Sequence, residues 1–126
     1  MLEAGIVTDG AEELLEFYRD GFGFGIDVSH EFPQGVVHRL RRGEARLKLF
    51  QPAGGARRPN PPEPWHRDAG FAYAALHVGD LTAVFAAATA AGASTLVEPT
   101  SHRPGARYAL VADPQGNVWE LLEEGG

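Results

Sequence analysis

The sequence predicts an α+β protein built as two tandem βαβββ modules, forming a curved mixed sheet around a concave cavity with the helices outside. Three observations carry this. Apolar residues fall in short strand-like runs and, in two places, recur at helical spacing. The order strand, helix, three strands occurs twice, as a duplication would leave it. Between the two passes, Gln51 to Gly70 is dense in proline and glycine, and neither period continues there. The boundaries that follow are module one at 1–51, a linker at 52–70 and module two at 71–126, within a single domain.

Module one opens with the strand-like run Leu2 to Val7. Asp9 is placed to cap a helix, with Glu12 three residues on as its capping-box partner. Leu14, Leu15, Phe17 and Tyr18 give that helix one apolar face, and Asp20-Gly21 ends it. Phe22 to Val28 is glycine-interrupted but strand-like. Val36 to Arg42 and Glu44 to Phe50 flank Gly43, as in a tight hairpin. Pro52, Pro59, Pro61, Pro62 and Pro64 then remove amide donors and fix φ, which makes this stretch a stiff linker.

Module two repeats the plan. Phe71 to Val78 reads as a strand, and Asp80 caps a helix from Leu81 to about Ala91, with Gly92 just past its end. Ser94 to Val97 is a short strand, Pro99 to Pro104 a loop and Arg107 to Ala112 a strand. Asp113-Pro114-Gln115-Gly116 is a turn, Asn117 to Leu122 the last strand, and Glu123 to Gly126 a frayed end.

Composition limits the function. The chain has 126 residues, and hydrophobic residues at 44% are enough for a core without staples. There is no cysteine, which excludes disulfides, thiolate ligands and thiol nucleophiles. A net charge of −6 argues against nucleic-acid binding, which depends on neutralising phosphates. Arg39, Arg41, Arg42 and Arg46 cluster locally and read as a solvated strand face. Met1 is followed by Leu-Glu-Ala, unlike a secretory leader. The apolar stretch Val84 to Ala93 is too short to span a bilayer. The expectation is a soluble cytoplasmic protein with neither nucleic-acid nor membrane partners.

Three motifs carry a family resemblance. Asp113-Pro114-Gln115-Gly116-Asn117-Val118-Trp119-Glu120-Leu121 resembles the closing hairpin of vicinal-oxygen-chelate proteins, the glyoxalase/bleomycin-resistance/dioxygenase group. His77-Val78-Gly79-Asp80-Leu81 resembles the strand-to-helix junction of that family's second module. Glu16-Phe17-Tyr18-Arg19-Asp20 with Gly23-Phe24 resembles its first-module signature. The three occur in the right order and span nearly the whole chain. The scaffold alone does not choose a function, because it hosts isomerases, epimerases, dioxygenases, thiol transferases and drug-binding proteins.

Metal-dependent relatives hold a divalent ion with His or Glu/Gln, Glu, His and Glu. The resemblance places those four positions on Glu3, Lys48, Tyr73 and Glu120. A protonated lysine has no lone pair to offer, and a neutral tyrosine is a poor ligand. No metal and no cofactor are therefore expected, although two carboxylates could hold a weakly bound ion among waters. Lys48 is expected to pair with Glu3 or Glu120 where relatives place the ion.

Strand parity gives the lining. Glu3, Gly5, Val7, Arg46, Lys48 and Phe50 face inward in module one. Phe71, Tyr73, Ala75, His77, Val118, Glu120 and Leu122 do so in module two, while Trp119 and Leu121 turn to the helix layer. His38 and Tyr108 complete the ligand-binding set. Trp65, in the linker, either stacks on a ligand at the cavity mouth or anchors its loop to the core. His102 either rims the pocket, as the resemblance implies, or is solvated. Ser29-His30-Glu31 and Ser101-His102 are adjacent, but a triad needs geometry. Gly21 to Gly25 lacks the strand-then-helix context of a phosphate loop.

The resemblance implies a metal-free bacterial binding protein that sequesters an aromatic, amphiphilic or cationic natural product. Antibiotic self-resistance would follow, with pockets at a homodimer interface. The Ala/Gly/Arg/Pro-rich composition suggests a high-GC source. The alternative is a lyase, isomerase or dioxygenase-like enzyme using Glu3 and Glu120 as acid and base or as weak metal ligands. A third reading is an interaction protein that keeps the pocket as a relic.

Overall fold

The computed structural model describes residues 1–58 and 61–125, with the His102 side chain outside that set. The chain divides into two compact units, Met1–Asn60 and Pro61–Gly126. Each unit is a βαβββ arrangement with its own four-stranded mixed sheet, which is the α+β class the sequence predicts.

Unit one contains β1 (Glu3–Val7), α1 (Ala11–Asp20), β2 (Gly25–Phe32), β3 (Gly35–Arg42) and β4 (Ala45–Pro52). The sheet order is β1-β4-β3-β2, with β1 parallel to β4 and the other pairs antiparallel. The period-2 pattern of β4 buries Leu47 and Leu49, and β3 adds Leu40. The helical stripe of α1 buries Ala11, Leu14, Phe17 and Tyr18 in the same unit. Full burial stabilises by about 1.5–3 kcal/mol for each large apolar side chain.

Two expectations for this unit are corrected. Phe22 to Phe24 is not strand. Phe22 and Phe24 turn inward onto α1, with Phe22 edge-on to Phe17 and Tyr18 at 5.1 and 5.6 Å between ring centroids. The strand instead runs on to Phe32. Nor does Asp9 cap α1. The N-cap residue is Gly10, and the Ala11 amide donates to Gln51 Oε1 at 2.8 Å, from the far strand β4. Asp9 pairs with Arg58.

Unit two contains β5 (Tyr73–His77), α2 (Leu81–Ala90), β6 (Ser94–Arg103), β7 (Ala106–Ala112) and β8 (Val118–Glu124). The order is β5-β8-β7-β6, with β5 parallel to β8. Asp80 caps α2 as expected, its Oδ1 accepting from the Ala83 amide at 3.1 Å. The expected loop at 99–104 is strand through Arg103. Register shifts between Val97 and Thr100 leave Glu98 and Pro99 without ladder partners, so the proline costs no hydrogen bond.

The expected frayed end is also ordered through Glu124. Glu123 Oε2 accepts from the Leu81 amide at 2.7 Å, and Glu124 pairs with Arg103 at 2.6 Å. The two units thus share a device: a side chain from the closing strand, Gln51 or Glu123, satisfies the first amide of the helix. No helix among the described residues is long and apolar enough to cross a membrane.

Candidate functional site

The ladders fix which side chains share a face. In unit two, Tyr73, Ala75 and His77 of β5 stand opposite Val118, Glu120 and Leu122 of β8, and β7 places Leu110 opposite Glu120 and Tyr108 opposite Leu122. Alternate residues Leu76, Trp119 and Leu121 are buried on the other face, toward α2. This is the parity expected from the sequence.

Trp65, Tyr73, Tyr108, Leu110 and Glu120 line a cavity of about 370 Å³, open on one side. Trp65 meets both Tyr73 and His66 edge-on. The loop tryptophan is therefore both half-buried and part of the lining. Three aromatic rings and a leucine share this open lining with one carboxylate, and a polar group of this kind orients a ligand held mainly by apolar contact. Leu110 is the lining residue the sequence reading missed. Counting back across the Asp113–Gly116 turn to the partner of Glu120 would have found it.

That turn holds the hairpin in place. Asp113, 2% exposed, accepts from the Gln115 and Asn117 amides through Oδ1 and from the Asn117 side chain through Oδ2, each at 2.9 Å. Its own amide donates to the Asn117 carbonyl at 2.8 Å. These bonds set the register that puts Glu120 opposite Leu110.

In unit one the equivalent face carries Glu3, Gly5 and Val7 beside Arg46, Lys48 and Phe50. Lys48 Nζ donates to Glu3 Oε1 at 2.7 Å, so of the two pairings expected for Lys48 the one with Glu3 forms. The hydrogen bond from Lys48 holds the Glu3 carboxyl below its ordinary range, and Arg39 and Arg46 act in the same direction. By the repeat, Lys48 and Glu120 are equivalent: Lys48 stands opposite Gly5 and Glu120 opposite Ala75.

The remaining predicted residues have other neighbours. Phe71 precedes β5 and is fully exposed, and His77 lies 3.7 Å from Glu124. Phe50 stacks at a tilt on Phe32, with centroids 5.8 Å apart. His38 stands opposite Leu49, on the helix-facing side of the unit-one sheet, where its Nδ1 is 2.7 Å from Ser29 Oγ. His102 lies on β6 with its side chain outside the described residues. Of the arginine cluster, Arg42 is not solvated as expected but donates to the Phe22 carbonyl at 2.8 Å.

The donor set does not fit a resident divalent ion. Lys48 fills one counted position and neutralises Glu3, and the Glu120 cavity offers tyrosine and leucine as neighbours. Among the described residues no three His, Asp or Glu side chains converge.

Residues 1–121 match the model of the Glyoxalase/Bleomycin resistance protein/Dioxygenase superfamily. A protein of Mycobacterium bovis provisionally named glyoxylase CFP32 is 31% identical over 122 residues, which are 94% of this chain and 41% of that protein. The chain thus spans about two-fifths of that curated relative. A glyoxalase family protein from Bacillus cereus superposes with a TM-score of 0.85 at 15% identity, covering 100% of this chain and 94% of that one. Glyoxalase I from Zea mays gives 0.81 at 17%, covering 100% and 45%. TioX from Micromonospora sp. ML1 gives 0.71 at 17%, covering 100% and 97%. At these identities the structures speak for the fold alone. The repeated βαβββ unit, the closing hairpin on Asp113 and the match over residues 1–121 together make this chain a member of the glyoxalase/bleomycin resistance/dioxygenase superfamily.

Proposed function

We propose that this chain is a metal-independent small-molecule binding protein that sequesters a planar aromatic, cationic or amphiphilic ligand. The observation that carries this reading is the unit-two cavity, where Trp65, Tyr73 and Tyr108 line the same open pocket as Glu120. Aromatic faces attract a flat cation by about 0.5–2 kcal/mol each, and a carboxylate beside them adds charge complementarity. Capture needs affinity and abundance, so no catalytic group is required. Self-resistance to an antibiotic, in the bacterial cytoplasm, is the physiological role in this reading. A homodimer belongs to it as well, supported by Val7, Phe71 and Tyr73, which are 64%, 112% and 48% exposed.

The test is fluorescence titration with proflavine, a planar cation. Saturable quenching is expected, absent in Trp65→Phe and retained when Trp119 is replaced by Phe. Glu120→Gln should weaken binding about tenfold, as loss of one charged contact does. If no planar aromatic in a panel quenches emission or raises Tm, the reading fails. Stoichiometric, tight uptake of Mn, Ni or Zn after dialysis would instead favour an enzyme using Glu3 and Glu120.

A further inference from the structure

We propose that the outer edge of β2 is an assembly surface, where a second copy of this chain adds its own β2 antiparallel about a two-fold axis at His30. The contact uses none of the residues given above to the ligand, nor Val7, Phe71 or Tyr73. It also accounts for Ser29-His30-Glu31, in which the serine bonds His38 rather than its neighbour.

Strand β2 ends the unit-one sheet, and among the described residues its only ladder is with β3. The hairpin turns decide which backbone groups that ladder leaves over. Phe32 closes on Gly35 across two residues, so this pair exchanges hydrogen bonds, and by alternation His30 and Val28 do the same with their partners. Arg42 closes on Ala45 in the same way. That turns Arg42, Leu40, His38 and Val36 toward β4 and leaves Gly35, Val37, Arg39 and Arg41 for β2. The N–H and C=O groups of Ser29 and Glu31 therefore point outward, along an edge whose residues are all exposed.

Edges are usually protected by a bulge, a proline or a lysine. Here the bulge lies between Ile26 and Val28, and Pro33 lies in the turn, so Val28 to Phe32 has none of these. A two-fold axis normal to the sheet keeps each face on its own side, so opposed residues must share a face. Ser29 and Glu31 then allow three registers. Ser29 opposite Ser29 brings Asp27 up to Glu31 of the second copy, and Glu31 opposite Glu31 sets two carboxylates together, which is unfavourable. Ser29 opposite Glu31 avoids both. It gives a hydrogen-bonded pair on each side of the axis, sets Val28 against Phe32 twice, and puts His30 against its own copy. Val28 and Phe32 are 41% and 39% exposed, so the pairing covers apolar surface that now faces water. This self-match is what a second copy supplies and an arbitrary peptide does not.

The chain has no cysteine, so one introduced thiol reports on one place. Opposed residues at the axis lie about 4.5 Å apart between Cα atoms, within disulfide reach. In a glutathione redox buffer, His30→Cys should form a disulfide dimer on non-reducing electrophoresis. Ser29→Cys, which stands opposite Glu31, and Glu12→Cys on the exposed side of α1 should remain monomeric. Sedimentation equilibrium of the parent chain should show self-association that His30→Lys weakens about fivefold or more, by setting two ammonium groups face to face. One strand pair buries less than the ~1,200 Å² of stable interfaces, so the association should appear at high protein concentration. His30→Cys that crosslinks no better than Glu12→Cys overturns the proposal. So does crosslinking through Ser29→Cys in preference to His30→Cys, or self-association unmoved by His30→Lys. Neither readout uses a ligand, so failure here and failure of proflavine binding are separate results.

Discussion

Trp65 meets Tyr73 edge-on, with ring centroids 5.8 Å apart and planes at 83°. A loop residue is thereby tied to the first strand of unit two. Such pairs are worth about 0.5–1.5 kcal/mol beyond their area. Tyr73→Ala is expected to free the indole, raising its accessibility to acrylamide and weakening proflavine binding about tenfold through loss of one wall and of the preset Trp65 position. Stern–Volmer slopes in a Trp119→Phe background measure the first effect, and a titration the second.

The Lys48–Glu3 pair predicts a pH dependence. The folded-state pKa of Glu3 is lowered, so the pair stabilises fully above the ordinary carboxylate pKa. The contribution declines below that pH and is lost once pH falls through the lowered folded value. Glu3→Gln lacks it. The Tm gap between the wild type and Glu3→Gln should therefore be constant near neutrality and close in acid. A gap that widens as pH falls contradicts the assignment. Both side chains are about one-third exposed, so added salt should shrink the gap at neutral pH.

Asp113 makes a sharper prediction. Removing its carboxylate leaves the Gln115 and Asn117 amides without their acceptor in a half-buried turn. Asp113→Ala should destabilise unit two by about 2–4 kcal/mol. Asp113→Asn should cost less, because its carbonyl oxygen still accepts from both amides. Urea denaturation followed by the buried Trp119 reads both variants.

Two glycines separate backbone strain from collision. Gly43 has φ 56 and open space around it, whereas Gly35 has φ 150 and no room. A Cβ at Gly35 would run into the Gln51 carbonyl and lie 2.9 Å from Pro52 Cα. Gly43→Ala should cost about 1–2 kcal/mol, the penalty of left-handed backbone. Gly35→Ala should cost more, since neither contact is a side chain that can swing away. Tm values of the two variants test the order.

The alternation of Leu47, Lys48, Leu49 and Phe50 made the two faces of the sheet legible, because strand period and burial are both local. The closing hairpin was legible for the same reason, its turn being held by bonds within five residues of Asp113. What escaped detection is non-local. The acceptor for the start of α1 comes from 40 residues away and that for α2 from 42, so nearby Asp9 stood in falsely for one of them. Strand β6 looked like strand then loop because its bulges break the alternation and admit Pro99. Of the candidate site, Tyr73 and Glu120 were placed by the family resemblance, and Tyr108 was named beside them. The side of the sheet that His38 takes was not legible, because it depends on the register of β3 against β4.

The long reach of those helix acceptors has a consequence for how the protein is made. As the chain leaves the ribosome, α1 emerges well before Gln51, and α2 well before Glu123. Each helix begins life with its first amide facing water and gains its protein acceptor only when its unit's last strand is in place. Completion of each unit is therefore tied to contacts of high sequence separation, which are slow to form. A pause in synthesis just short of residue 45 or 118 would leave a helix without its acceptor and a sheet without its closing strand.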